Sequence, residues 1–151
     1  MFEGSCHCGE VKIEVAEAPT QVTSCNCSIC RRLGTLWAYY APAQVTITGA
    51  TATYCWGDKT LDLHRCTTCG CTTHWSPLPE RADPGRMGIN VRLLAPEVLA
   101  AARVRRLDGA SDDWKWLDDE GETSGEPGGE TDQRALHGIP PGGGPPGGGP
   151  M

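Results

Sequence analysis

A chain of 151 residues, 38% hydrophobic and with a formal net charge of −6, has room for one modest domain, and its charge is unevenly placed. Residues 1–118 carry 12 Lys+Arg against 13 Asp+Glu, whereas 119–151 carry one Arg against six acids, so the part able to fold is near neutral. That balance excludes a strongly basic nucleic-acid surface, no apolar run is long enough to span a bilayer, and Met1-Phe2-Glu3-Gly4 has neither the basic region nor the apolar core of a signal peptide. A cytoplasmic protein is expected, with neither nucleic acid nor membrane as partner.

In chain order, Ser5-Cys6-His7-Cys8-Gly9 precedes Val11-Lys12-Ile13-Glu14-Val15, whose apolar/polar alternation predicts a half-buried strand ended by Ala18-Pro19. Cys25-Asn26-Cys27-Ser28-Ile29-Cys30, followed by Arg31-Arg32, leads into a predicted strand over Leu36–Tyr40 whose aromatics, Trp37, Tyr39 and Tyr40, read as core. Val45–Thr48 and Thr51–Trp56 are rich in β-branched and aromatic residues, with turn signals at Gly49-Ala50 and Gly57-Asp58. Leu61–Cys66 alternates again and delivers Cys66-Thr67-Thr68-Cys69-Gly70; Cys71–Trp75 and Met87–Val91 follow as strands. Pro96 opens a short helix reaching Arg103, and Val104–Leu107 is a last strand. Trp114-Lys115-Trp116-Leu117 sets two tryptophans on one face of an extended segment that anchors the chain end, while Asp112 and Asp113 read as solvated. The expected fold is mostly β: one small, irregular, largely antiparallel domain over 1–118 that metal sites help to stabilise. Residues 119–151, acidic and rich in Gly and Pro, bury too little to offset their ordering entropy and read as a disordered tail.

Nine cysteines in tight clusters, an odd number in a cytosolic setting, point to metal rather than disulfides. Cys6-x-Cys8 and Cys66-x-x-Cys69 are two dithiols far apart in sequence, the usual makings of a four-thiolate structural zinc site. Cys25, Cys27 and Cys30 offer three more thiols, and three protein ligands with one open position is the arrangement of catalytic zinc. Cys55, Cys71 or His74 is the candidate to close that second site instead. His64 and His74 are acid/base candidates but fit better as supporting histidines, and Arg31 and Arg32 either hold a substrate carboxylate or are simply solvated.

The order Cys6-x-Cys8-Gly9, Cys25-x-Cys27-x-x-Cys30-Arg31, His64-x-Cys66-x-x-Cys69-Gly70 resembles the glutathione-dependent formaldehyde-activating enzyme (Gfa/CENP-V) family over roughly residues 3–117. The resemblance implies an Mss4-like (β-tent) fold, structural zinc at Cys6, Cys8, Cys66 and Cys69, and catalytic zinc at Cys25, Cys27 and Cys30. It also implies a carbon–sulfur lyase that adds glutathione to formaldehyde. Cys71 stands where the family more often has a small hydroxyl residue, and Cys55 is additional. Two other readings compete: a non-catalytic zinc-stabilised binding module, and a metal-buffering or redox protein using its thiols stoichiometrically.

Overall fold

The computed structural model describes residues 1–80, 84–111 and 113–119. The expected tail beyond Asp119, and Asp112, lie outside the described residues; Asp113 is exposed. Two sheets form. The smaller is built from β1 (Phe2–Ser5), β2 (Lys12–Val15) and β5 (Val45–Thr48) in the order β1-β2-β5, all antiparallel. The remaining strands are β3 (Gln21–Cys25), β4 (Trp37–Tyr40), β6 (Thr51–Tyr54), β7 (Leu61–Cys66), β8 (Thr72–Pro77), β9 (Met87–Asn90) and β10 (Arg103–Leu107). They make a seven-stranded sheet in the order β10-β3-β4-β9-β8-β7-β6, antiparallel except where β10 runs parallel to β3. Among the described residues there are also two short α-helices, α1 (Cys30–Leu33) and α2 (Pro96–Ala101). The fold is therefore mostly β, as the alternating segments led us to expect.

Period-2 alternation along β4 divides the interior in two. Ala38 and Tyr40 face a core with Ile13, Val15, Val22, Ile89 and Val91, over which the small sheet lies. Trp37 and Tyr39 face the opposite way, into a second core with Leu61, Leu63, Trp75, Leu107 and the three cysteines 25, 27 and 30. A third cluster, Cys6, Val11 and Cys66, sits where the β1–β2 turn meets the β7–β8 turn.

Several element boundaries differ from the sequence reading, each for a local reason. Phe2–Ser5 forms an edge strand although it buries no side chain fully, because its backbone completes the ladder to β2. Gln21–Cys25 is a strand whose polar Thr23 is 1% exposed, so alternation of residue type conceals it. Val91 closes β9 by turning into a 3₁₀ segment, with the Asn90 side chain accepting from the Arg92 amide. The tryptophan segment is not regularly extended: Trp114 has φ 48°, while Trp116 bridges to Leu107. Trp114 nevertheless packs against the second core, as does Trp116, which also lies 4.0 Å beneath the Arg105 guanidinium.

Candidate metal centres

The two dithiols meet at the junction of the sheets. Cys6 and Cys8 sit in the β1–β2 turn, where Gly9 (φ 82°) donates to the Cys6 carbonyl at 3.0 Å. Cys66 and Cys69 sit in the β7–β8 turn, where Gly70 (φ 76°) donates to the Cys66 carbonyl at 3.0 Å. Both turns need a left-handed residue to bring their sulfurs inward, which glycine supplies without steric cost. The Val11 amide points at Cys6 Sγ (3.3 Å) and the Thr68 amide at Cys66 Sγ (3.4 Å). Thr68 Oγ1 also donates to Glu10 Oε2 at 2.9 Å, joining one turn to the other.

All four sulfurs lie within 4.8 Å of one another. Two separations are 3.5 Å (Cys6–Cys8) and 3.6 Å (Cys8–Cys66). A tetrahedron with metal–sulfur bonds of about 2.3 Å has edges of about 3.8 Å, so the donor set fits zinc. The Cys71 and Cys8 amides, aimed at the Cys69 thiol, hold its pKa down at about 5. A metal here would tie together residues 58 apart in sequence.

The second cluster is assembled from the end of β3 and the start of α1. Cys25 closes the strand, Cys27 lies in the turn, and Cys30 opens the helix. Their exposures are 5%, 4% and 6%, and their sulfurs also lie within 4.8 Å of one another. The turn is stitched by Arg31 N–H to the Cys27 carbonyl (3.1 Å) and by the Cys27 amide to Cys25 Sγ (3.4 Å). Cys25 is driven well up in pKa by sharing protons with Cys27 and Cys30, then by burial. Cys30 is pushed up to about 12, because Cys27 and burial outweigh the relief from Cys25. Three buried thiols this close resist ionising together, and a dication is what removes that resistance.

Among the described residues, no fourth histidine, cysteine or carboxylate joins this trio. Cys55 is half-buried in the β6–β7 loop and outside both clusters. Cys71 packs beside the four-cysteine group, with its sulfur facing the His7 amide. His74 is stacked on its cross-strand partner His64 at 3.9 Å and bonds Thr73 Oγ1 through Nδ1. Both nitrogens of His64 are engaged, by Thr51 and Ser76. Burial, then the His64 ring, pushes His74 down to about 3, and burial also lowers His64.

What the trio does face is apolar. A cavity of about 20 Å³ is lined by Cys27, Ile29, Cys30, Trp37, Trp56, Leu61, Leu63 and Trp75. That volume is about the size of one water molecule. Outside it, Arg31 and Arg32 are exposed on α1, with Arg32 Nη1 donating to the Ser28 carbonyl at 2.7 Å.

Three further residues support the trio, and sequence reasoning had not singled them out for it. Trp37 donates its indole N–H to Cys30 Sγ at 3.2 Å. Gly109 is buried so closely over the cluster that a Cβ there would stand 2.5 Å from Cys25 Sγ. Asn26 pins the Gly109 loop, donating to Asp108 Oδ1 and accepting from the Ala110 amide, both at 2.9 Å. The Cys-Asn-Cys motif was the one available signal, since asparagine commonly bonds neighbouring backbone.

A family model described as glutathione-dependent formaldehyde-activating enzyme matches residues 1–107. The match contains all seven clustered cysteines and stops just short of Gly109. Among solved structures, the crystal structure of a Rhodobacter sphaeroides protein is similar, at 31% identity and a TM-score of 0.56, covering 68% of this chain and 99% of that one. No helix among the described residues is long and apolar enough to cross a membrane.

Proposed function

The chain belongs to the glutathione-dependent formaldehyde-activating enzyme family, and on that premise we propose that it is a zinc-dependent carbon–sulfur lyase joining a thiol, glutathione, to formaldehyde or another small carbonyl, or cleaving that adduct. The observation that carries this reading is the trio itself: three buried sulfurs converge beside a small apolar cavity, and no fourth ligand closes the set among the described residues. On this reading Cys6, Cys8, Cys66 and Cys69 hold a structural zinc, and Cys25, Cys27 and Cys30 hold a catalytic one. When bound there, zinc supplies an open position for a soft ligand and the charge that deprotonates an arriving thiol.

The chain's own residues do the rest. The cavity walls, Trp37, Trp56, Trp75, Leu61 and Leu63, exclude water and admit a carbonyl of about one carbon's bulk. Arg31 and Arg32, next to the trio and exposed, offer cationic forks to the carboxylates of a peptide-like thiol. The net step forms one S–C bond, breaks the carbonyl π bond and moves the thiol proton to oxygen, so no oxidant or reductant is needed. The partner is then a small-molecule thiol in the cytoplasm, without nucleic acid or membrane. The near-neutral 1–118 region and nine free thiols support that setting.

The test is adduct formation from glutathione and formaldehyde, followed by NMR with the uncatalysed rate subtracted, for wild type and Cys27→Ser. Acceleration by wild type that is lost in Cys27→Ser is expected. Equal rates in both overturn the enzyme reading and favour a zinc-stabilised binding module.

A further inference from the structure

Trp37 is 1% exposed, and its surroundings are leucines, tryptophans and cysteines. A buried indole N–H is costly without an acceptor. The acceptor it finds is Cys30 Sγ, at 3.2 Å. The ring is in no position to drift. Strand β4 lies between β3 and β9, with Trp37 paired to Thr23 on one side and Asn90 on the other. Cys25 Sγ is held differently: it accepts the Cys27 backbone amide, which any residue but proline at 27 would supply. Cys30 Sγ instead takes its bond from the Trp37 side chain.

A neutral thiol is a weak acceptor, whereas a thiolate makes a charge-assisted bond of about twice the strength. The indole N–H fixes where Cys30 Sγ stands relative to the other two sulfurs. Resting on the reading that the trio holds a metal, we infer that Trp37 is a positioning residue that aims Cys30 Sγ at the point shared with Cys25 and Cys27 and draws electron density from it. Three thiolates on a dication leave a net −1 unit that resists a fourth anionic ligand. A donor bonded to one of them lessens that resistance, so the cavity wall also adjusts how readily a substrate thiolate enters.

Cobalt(II) loading gives the readout, because sulfur-to-cobalt charge transfer reports the electron richness of each thiolate. The trio's band is the one that Cys27→Ser removes. Two replacements at Trp37 are compared: Trp37→Phe, and 3-benzothienylalanine, which keeps the bicyclic shape but lacks the N–H. In both we expect the trio's band to move to longer wavelength and trio affinity for cobalt, from chelator competition, to fall about 10- to 100-fold, the usual effect of losing a ligand's hydrogen-bond partner. An unchanged band and affinity with 3-benzothienylalanine overturns the donor role, whatever Trp37→Phe does, and assigns Trp37 to packing alone. If wild type has no band that Cys27→Ser removes, the metal reading itself fails and takes this inference with it.

Discussion

Gly109→Ala is the substitution whose sign says most about how the trio is held. A Cβ at this position would stand 2.5 Å from Cys25 Sγ and 3.2 Å from both Cys27 Cβ and the Trp114 ring. Ordinary carbon contacts sit at about 3.5–4.0 Å, so about 1 Å must be found. The loop cannot simply lift, because Asn26 holds it on both sides of Gly109 through Asp108 and Ala110. Nor does the backbone object to alanine, since Gly109 is outside the left-handed region. In open space the substitution would therefore stabilise, by about 0.4–1 kcal/mol through the unfolded chain. Overpacking a filled interior instead costs about 1–3 kcal/mol. The clash falls on a sulfur of the trio, so we expect most of that cost in metal binding: trio affinity down about 5- to 150-fold. Urea denaturation of metal-free protein and chelator competition on loaded protein separate the two shares. A Gly109→Ala protein at or above wild-type stability, with unchanged competition, would refute the tight seating of Gly109 over Cys25.

Other outcomes follow from the same geometry. Freshly purified protein should carry two zinc ions per chain and fall to one on mild chelation, and retention of both would argue against an open position on the trio. Cys55→Ser and Cys71→Ser should leave that stoichiometry at two, since neither sulfur joins a cluster; loss of an ion in either would place it among the ligands. Leu63→Ala, at a 5%-exposed wall of the cavity, should cost about 2–5 kcal/mol while extending turnover to larger aldehydes, and an unaltered aldehyde preference would detach the cavity from the carbonyl. The unfolded chain protonates His74 near 6.5, the folded one only near 3, so its contribution is complete above pH 6.5 and is lost as pH falls toward 3. The stability slope between pH 6 and 5 should be steeper in wild type than in His74→Gln by up to about 1.4 kcal/mol per pH unit; matching slopes would rule this out.

What the sequence by itself determined is what short-range geometry enforces. Cys-x-Cys-Gly and Cys-x-x-Cys-Gly bring two sulfurs to one point because a turn of three or four residues leaves them nowhere else to go, and glycine permits the φ required. Val11–Val15 and Leu61–Cys66 show their strands through alternation, because one face of each is buried and the other is not. The order of the seven cysteines carried the family. Tertiary structure alone decided the rest. That Cys71 and His74 stand outside the trio depends on where β8 pairs, with His74 set against His64 and Cys71 set beside the four-cysteine turn. The strand Gln21–Cys25 was illegible because its buried polar Thr23 breaks the pattern and its parallel partner, Arg103–Leu107, lies far along the chain. Gly109 and the Trp37 N–H carry no local signal at all. Gly109 matters because the fold delivers its loop to Cys25 from far along the chain, and the Trp37 N–H because β4 turns it back onto Cys30; both contacts are properties of packing, not of spacing.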